Sequence, residues 1–519
     1  MRLSFRRICL LSFVLAALTA SLAPARADLR LASIFGDHMV LQFGRVIPVW
    51  GWSEPGREVK VSFRHFMEKT TSAADGRWRV EIGPLDAGGP DKLVVASGEQ
   101  VIVLDDVLAG EVWLCSGQSN MEMTVNRCLN AEAEIASADF PEIRQFKIPH
   151  TNAREPLDDI RETGGQGENS YQRSWQPASP ETVGRFSAAG YFFARNLHLN
   201  LGEVPVGLIN SSWGGSVAEA WVSAEGMNSS AEIARILTEW PENSRHSEGW
   251  RRGYKTYLAN AEKALVEGRD YPPYYREPSV LYNGMIAPLA GLGIRGVIWY
   301  QGEANVTRPA QYARLFQTLI TDWRNRWGRD LPFIWVQLPG FQAGLETWPL
   351  LREAQAAALE LPNTAMAVAI DLGERHDIHP RNKQAVGNRL AIAARGLVYL
   401  EDLPSKAPAY ESMTVAGARC RVEFNNSGDG LASSDGEPVR GFSVAGDDRV
   451  FVAAKAVIEN GAVVVWSDQV TGPVAVRYAW TNFPADLNLY GTYHGSAWLP
   501  AAPFRTDDWE TMPELELFD

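Results

Sequence analysis

The first hundred residues show short apolar runs broken at regular intervals by turn residues. Strand-like runs at Val46–Trp50 and Val59–Phe63 are separated by turn signals at Glu54-Pro55-Gly56, and another turn signal follows at Asp75-Gly76-Arg77. Short strands with turns at such spacing are typical of small all-β domains. The pattern predicts a β-sandwich-like domain over residues 28–105.

The pattern changes near Val107, where compact apolar runs begin to alternate with helical periodicity. The predicted strands are Val112–Cys115, Val204–Asn210, Gly296–Tyr300, Phe333–Gln337 and Met366–Ile370. The predicted helices are Ser187–Asn200, Gln311–Trp327, Leu351–Leu361 and a helix that has Pro380 in its first turn and runs to about Leu397. Nearly continuous apolar strands alternating with helices predict an α/β domain, at 106–400, in which helices cover both faces of a parallel sheet.

Two further segments complete the predicted organisation. Residues 224–277 are polar and partly helical, which fits a cap-like insertion better than another strand. From 401 to 519 the β pattern returns, with apolar runs at Val450–Val452 and Val463–Trp466 around the hairpin signal Asn460-Gly461. The sequence therefore predicts a C-terminal β-rich domain at 401–519.

Residues 1–27 have the features of a secretory signal peptide. Arginines precede an apolar run from Ile8 to about Ala20, and Ala25-Arg26-Ala27 resembles a cleavage site. We therefore expect a secreted or periplasmic protein. We find no other apolar stretch that approaches the roughly 20 residues of a membrane helix, so we expect no membrane association after leader removal.

Charge and cysteine content restrict the partners and the chemistry. Removal of residues 1–27 takes away four arginines and no acidic residue, so the net charge of −13 becomes −17, which disfavours nucleic acid as a partner. Cys115, Cys128 and Cys420 would remain. One disulfide could form among them, but the sequence does not select a pairing.

Three loops follow predicted parallel strands and should meet at one edge of the sheet, where open α/β sheets bind ligands. They are GQSNM at Gly117–Met121, SSWGGS at Ser211–Ser216 and YQGEAN at Tyr300–Asn305. The first carries Ser119, a candidate nucleophile. A hydroxyl attacks only when a base takes its proton, and Asp377-x-His379 offers a histidine with a nearby carboxylate. The Gly214-Gly215 pair would let backbone N–H groups approach an oxyanion.

Other interpretations of these residues are simpler. Ser119 could cap a helix, and His379 could be a buried histidine with an ordinary hydrogen bond. His376 and His379, with Asp371 and Asp377 nearby, could instead hold a metal, but a metal site would leave the serine loops without a role. We expect Trp213, Trp221 and Trp299 to pack in the interior rather than to bind sugar. The GxSxG elbow of ordinary lipases is absent, because position 121 is Met.

Taken together, these motifs resemble the SGNH-hydrolase superfamily and, within it, the sialate O-acetylesterase family and its acetylxylan-esterase relatives. The resemblance is carried, in order along the chain, by Ile34–Gln42, Glu111–Met121, Gly207–Trp221, Gly296–Asn305 and Asp377–Ala391. It implies a flavodoxin-like parallel sheet for the central domain. It also implies that no metal or organic cofactor takes part.

The resemblance assigns roles to residues that match its motifs. Ser119 corresponds to the nucleophile and His379 to the general base, with Asp377 as the orienting acid. The backbone N–H groups of Ser119 and Gly215 and the Gln301 amide correspond to the oxyanion donors, while Glu303 and Asn305 support their loop. Many relatives carry the acid three residues before the histidine, but here that position is His376. A Ser–His–Asp triad and a Ser–His dyad therefore both remain open.

The function implied is that of a secreted carbohydrate O-acetylesterase whose substrate carries O-acetyl groups on sialic acid. Deacetylation of xylan or another plant polysaccharide is the alternative. A non-catalytic glycan-binding protein is the rival from another class. Because sialic acid carries a carboxylate, its pocket should contain an arginine, and Arg127, Arg185 and Arg276 are candidates between which the sequence does not choose.

Overall fold

The computed structural model describes residues 28–161, 174–243, 248–342, 344, 347–493 and 497–509. The signal peptide predicted at 1–27 lies outside these residues. Within the described ranges, none of the helices combines the length and the apolar character needed to cross a membrane.

The N-terminal region is rich in β-strands, as the sequence predicted. Its strands are β1 (Arg30–Leu31), β2 (Val40–Gln42), β3 (Ile47–Trp52), β4 (Glu58–Phe63), β5 (Phe66–Thr71), β6 (Arg77–Ile82) and β7 (Gly88–Ser97). Residues 28–32, 48–82 and 92–103 form one compact unit. In it, β3 lies between β1 and β6, and β4 pairs in antiparallel fashion with β5 and β7. Val59, Val61 and Phe63 on β4 are fully buried and alternate with more exposed neighbours, the pattern of a sheet with one buried face.

The second compact unit comprises residues 33–47, 83–91 and the described residues from 104 onward, and it contains the central sheet. The main path of this sheet comprises β8 (Gln100–Gly117), β9 (Phe140–Lys147), β10 (Gln176–Ala178), β11 (Val206–Ser212), β12 (Gly296–Tyr300), β13 (Phe333–Gln337) and β14 (Thr364–Val368), and β2 pairs in parallel with β8 beside this path. Along the main path, the spatial order is β10-β9-β11-β8-β12-β13-β14. The order β11-β8-β12-β13-β14 is the flavodoxin-like arrangement, with its topological switch point between β8 and β12.

Two strands of the main path were not predicted. The strand β9 runs parallel to β11, and β10 is antiparallel to β9 at the sheet edge. The sheet is therefore mixed rather than wholly parallel. Because the other strands are parallel, their carboxyl ends still meet at one edge.

Helices cover both faces of the sheet. The α-helices of the described residues are α1 (Ser119–Glu122), α2 (Ala131–Ala136), α3 (Ala188–Asn200), α4 (Ala224–Met227), α5 (Ala231–Asn243), α6 (Glu248–Val266), α7 (Pro309–Trp327), α8 (Trp348–Ala356) and α9 (Lys383–Leu397). Successive side chains of a strand point to opposite faces. On β12, Trp299 packs edge-on against Trp323 of α7, whereas the ring of Tyr300 lies 5.1 Å from the Lys383 ammonium at the start of α9.

Helix boundaries follow local capping chemistry. The Ser187 hydroxyl accepts a hydrogen bond from the Gly190 N–H at 3.1 Å and begins α3. The Asn382 side chain caps α9 in the same way, so this helix begins at Lys383 and the prediction that Pro380 lies in its first turn is wrong. The expected insertion is helical and contains α4, α5 and α6.

The C-terminal region is also rich in β-strands. Its strands are β15 (Ala409–Ala416), β16 (Arg419–Asn425), β17 (Gly430–Ser433), β18 (Phe442–Ala445), β19 (Val452–Ala453), β20 (Lys455–Glu459), β21 (Ala462–Trp466), β22 (Ala475–Tyr478), β23 (Leu489–Tyr493), β24 (Ala497–Pro500) and β25 (Phe504–Arg505). The turn at Asn460-Gly461 joins β20 and β21, which pair across it. The run predicted at Val450–Val452 instead leads into β19, which pairs with β18.

The thiols of Cys115, Cys128 and Cys420 are buried and free, so no disulfide forms among them. Burial raises the pKa of Cys115 and, to about 11, that of Cys128.

Candidate active site

Ser119 lies at the carboxyl end of β8, at the switch point of the sheet. The strand ends at Gly117, whose φ of 132° disfavours any other residue. A Cβ at this position would lie 2.2 Å from the carbonyl oxygen of Tyr300 on β12. The next residue, Gln118, donates its backbone N–H to the same oxygen at 2.9 Å. Glycine therefore allows the close approach that fixes the turn carrying Ser119.

The structure brings Ser119 and His379 together although 260 positions separate them in the chain. The Oγ of Ser119 lies 2.8 Å from Nε2 of His379, within hydrogen-bond distance. Asp377 lies on the other side of the imidazole, with its Oδ1 3.4 Å from Nδ1 of His379. The same oxygen accepts the backbone N–H of His379 at 2.8 Å. The shorter contact shapes the loop, while the longer one is long for a charge-assisted hydrogen bond.

The pKa of His379 lies below its usual value. Burial is the main cause, and the positive charges of Lys383 and Arg127 act in the same direction. The Asp377 carboxylate opposes them and raises the pKa. A histidine with a lowered pKa is neutral at pH 7 and can accept a proton.

Gly214 and Gly215 lie beside the serine. A Cβ on Gly214 would be 3.4 Å from the Ser119 Cβ, so the loop after β11 lies against the Ser119 turn. The Gly214 N–H donates to Oε2 of Glu122 at 2.7 Å. The described hydrogen bonds leave the backbone N–H groups of Ser119 and Gly215 without an acceptor. These two groups therefore remain available as hydrogen-bond donors.

The Gln301 carboxamide differs from the expectation. Its Nε2 donates to the Ser216 carbonyl at 3.2 Å and to Oδ1 of Asn305 at 2.7 Å, so both amide hydrogens are engaged. Asn305 in turn donates to Glu219 at 2.9 Å and accepts the Ala218 N–H. Fully buried Gln301 thus joins the loop after β12 to the loop that carries Gly215, rather than presenting an amide to an oxyanion.

A buried polar cluster lies between the serine turn and the histidine loop. Asn120 donates from Nδ2 to Oε1 of Glu303 at 2.6 Å and to the Ile378 carbonyl at 2.9 Å, and its Oδ1 accepts Nζ of Lys383 at 2.6 Å. Burial raises the pKa of Glu303, although Asn120 and Lys383 partly offset this effect. Burial also lowers the pKa of Lys383, to about 7. Glu303 was expected to have a supporting role, and its carboxylate contacts Asn120, the residue that follows Ser119.

Glu122 organises a second cluster. Its Oε1 is 3.1 Å from Nζ of Lys147 and 2.7 Å from Nε2 of His150. Burial alone would raise its pKa, but these two partners outweigh burial and lower the pKa to about 2. Glu122 is therefore ionised at neutral pH and holds the Gly214 N–H against Ser119.

The metal interpretation finds no support in the arrangement of these side chains. Asp371 forms a two-pronged ion pair with Arg389 at 2.6 and 2.7 Å and accepts the Tyr490 hydroxyl at 2.8 Å. In the part of the chain that the structure describes, no three His, Cys, Asp or Glu side chains are grouped as metal ligands.

Two of the three tryptophans expected to pack in the interior do so. Trp221 and Trp299 are fully buried. Trp213 is half-buried, and its ring stacks on the rings of His150, with centroids 4.2 Å apart, and Tyr275, at 5.3 Å.

The sequence analysis did not identify Asn120, Glu122 and Lys383 as functional residues. Two of them lie in motifs already singled out, since Asn120 follows Ser119 and Lys383 lies four residues after His379. The sequence signal that could have identified them is a polar residue within a turn that is otherwise buried. Only the fold reveals that these side chains meet.

Comparison with known proteins agrees with this geometry. A family model described as carbohydrate esterase, sialic acid-specific acetylesterase matches residues 268–395, which include the loops of Gln301 and His379. The chain is 37% identical to a carbohydrate acetylesterase from Xanthomonas citri, covering 92% of this chain and all of that one, with a TM-score of 0.79. Fold and site thus define a carbohydrate esterase.

The particular family follows from full-length relatives. The chain is 31% identical to the sialate O-acetylesterase of Mus musculus over 92% of this chain and 94% of that protein. It has the same identity to the human protein, over 92% of each chain. The chain belongs to the sialate O-acetylesterase family and is an esterase.

Proposed function

We propose that this enzyme hydrolyses O-acetyl esters of sialic acid, with Ser119 as nucleophile and His379 as general base. The observation that carries the proposal is the 2.8 Å contact between Ser119 Oγ and His379 Nε2 at the carboxyl edge of the sheet. A hydroxyl and a neutral imidazole at this distance are the parts that acyl transfer needs.

The reaction proceeds in two steps. In the first, His379 takes the Ser119 proton as Oγ bonds to the acetyl carbon. The bond from that carbon to the sugar oxygen then breaks, and the sugar oxygen receives the proton from His379. In the second step, His379 activates a water molecule that releases acetate and restores the serine. The N–H groups of Ser119 and Gly215 stabilise the negative oxygen in both steps.

Asp377 plays a secondary part in this mechanism. It is 53% exposed, and its Oδ1 lies 3.4 Å from the imidazole. Solvent weakens an interaction of this kind. The Ser–His dyad therefore carries the chemistry, and Asp377 shapes the histidine loop.

The proposal also covers the location of the enzyme and the class of its substrate. Residues 1–27 act as a signal peptide, so the enzyme works in the periplasm or outside the cell. The substrate is an acetylated carbohydrate. The second candidate is the plant polysaccharide expected from the sequence, acetylated xylan, because the 37% identity is to a protein described only as a carbohydrate acetylesterase.

A side-by-side assay tests the proposal. Acetate release by the mature protein is measured with O-acetylated sialic acid and with acetylated xylan at equal ester concentrations. Faster release from sialic acid, measured as kcat/KM, supports the proposal. Release mainly from xylan would preserve the esterase mechanism and replace the substrate. Release at the background rate from both would contradict the mechanism as well.

A further inference from the structure

The end of the helical insertion contributes a cation to the edge of the active site. A Cβ on Gly215 would lie 2.9 Å from Nη2 of Arg276 and 3.3 Å from the Tyr275 hydroxyl. The preceding glycine, Gly214, is the one that lies against Ser119. The Arg276 guanidinium is therefore separated from the serine by two small residues that lack side chains.

Contacts on several sides fix the position of this arginine. Its Nε donates to the Tyr275 hydroxyl at 3.0 Å, and Tyr275 stacks on Trp213 of the Gly214-Gly215 loop. The backbone carbonyl of Arg276 accepts the Trp240 indole N–H at 3.0 Å, which attaches it to α5. A guanidinium held at its Nε keeps a defined plane, so little conformational entropy is lost when an anion binds.

The chemistry of the position suits a carboxylate. Arginine presents parallel N–H groups that match the two oxygens of a carboxylate, and such pairs are among the stronger hydrogen bonds in proteins. The chain as a whole has a net charge of −13, which repels anions, so an anionic sugar needs a local cation.

The other two arginines are less suitable. Arg127 is exposed in a short helical turn, and its charge acts on His379. Arg185 is likewise exposed. Neither of them is shown to contact the glycine loop, whereas Arg276 lies directly against it.

We infer that Arg276 binds the carboxylate of the substrate and so selects acetylated sugar acids over neutral acetylated sugars. This inference rests on the proposed function, because it assumes that Ser119 attacks the ester. The carboxylate lies on the Gly215 side of the serine, and the acetyl group lies over Ser119.

The test compares wild type and one variant of the enzyme on two substrates. Wild type and Arg276→Gln are assayed with O-acetylated sialic acid and with the methyl ester of the same compound, in which the carboxylate is neutral. We expect the variant to lose about 10–100-fold in kcat/KM on the acid, mostly through KM, as the loss of a charged hydrogen bond implies. On the methyl ester we expect a change below about threefold, because the pair is absent there.

Controls separate the possible failures. Arg235→Gln alters an exposed arginine of the same insertion that pairs with exposed Glu239, and it should change neither value. Equal losses for Arg276→Gln on both substrates, or no loss on either, would overturn the inference. A carboxylate-dependent loss in Arg127→Gln with none in Arg276→Gln would overturn it as well. If wild type does not hydrolyse acetylated sialic acid, the proposed substrate fails, and the role of Arg276 fails with it.

Discussion

The side chain of Asn120 donates a 2.9 Å hydrogen bond to the backbone carbonyl of Ile378. Asn120 follows Ser119, and Ile378 precedes His379, so this bond joins the turn of the nucleophile to the loop of the base. Because the carbonyl can only accept, the bond also fixes the orientation of the Asn120 amide, whose oxygen then faces Lys383. We therefore expect the 2.8 Å Ser119–His379 contact to depend on this connection.

Replacement of Asn120 by Ala should therefore impair catalysis, because it would alter the position of His379 relative to Ser119. We expect kcat/KM to fall about 10–100-fold, because a small displacement of the base is costly. Stability should fall by about 2–4 kcal/mol, since the variant leaves Lys383 and Glu303 buried with fewer partners. Steady-state kinetics and urea unfolding measure the two effects. Asn228→Ala, at an exposed asparagine, is the matched control. Activity within threefold of wild type would show that the connection is dispensable.

The charge of Lys383 should influence the pH below which activity is lost, because it lowers the pKa of His379. Burial lowers the pKa of Lys383 to about 7, so Lys383 is mostly cationic below that pH. This charge lowers the His379 pKa, and Lys383→Met should raise it. We expect the acid limb of kcat/KM against pH to move to higher pH. Lys406→Met, at an exposed lysine, should leave the limb in place. A limb that stays unmoved or shifts to lower pH would contradict the electrostatic role.

Asp377→Asn distinguishes a triad from a dyad. Asp377 raises the His379 pKa, so its loss should shift the acid limb to lower pH. We expect kcat to fall by about tenfold, far less than the roughly 10⁴-fold measured when the buried acid of a serine-protease triad is changed to Asn. The pH dependence of kcat and kcat/KM checks both expectations. A loss beyond about 10³-fold would favour the triad.

Glu122→Gln should loosen the loop that holds Gly214 and Gly215. Breaking a fully buried ion pair costs about 3–5 kcal/mol. Because Glu122 is partly exposed, we expect a smaller loss in the free energy of unfolding, about 1–3 kcal/mol, together with a drop in kcat of about tenfold. The pKa of Glu122 is lowered to about 2 from 4.5, so its contribution is complete above pH 4.5 and is lost as the pH falls through 2.

Urea unfolding at pH 7, 5 and 3 measures the predicted loss in the free energy of unfolding of the Glu122 variant. The difference between wild type and Glu122→Gln should be equal at pH 7 and 5 and smaller at pH 3. Glu262→Gln, at an exposed glutamate on α6, provides the comparison. A difference that grows on acidification would contradict the assigned ion pair.

Sequence patterns predicted the parts of the fold that are uniformly apolar. The strand β12 was predicted with its observed bounds, because all five of its residues are apolar or small and buried. The strand β9 was missed because Arg144, Gln145 and Lys147 interrupt its apolar pattern. Each of these buried side chains has a partner elsewhere in the fold, respectively Asp106, the Ser187 N–H and Glu122. Such partners are distant in sequence, so the burial of a polar residue could not be anticipated.

The same reasoning explains what was predicted of the site. Ser119, Gly215 and His379 lie at the ends of strands or in distinctive motifs, and parallel topology alone brings such loops together. The assignment of Gln301 failed geometrically because its amide hydrogens are engaged by Ser216 and Asn305, which a motif does not reveal. Arg276 was one of three candidates, and only the path of the insertion places it beside Gly215.

The proposed mechanism has Ser119 attack the acetyl ester with His379 as its base. Its most direct test is kcat/KM of Ser119→Ala on O-acetylated sialic acid, with thermal unfolding recorded to establish that the variant folds. We expect a loss of at least about 10³-fold with little change in Tm, because the fold does not depend on the hydroxyl. A folded Ser119→Ala variant that retains more than about a tenth of wild-type activity would contradict the mechanism.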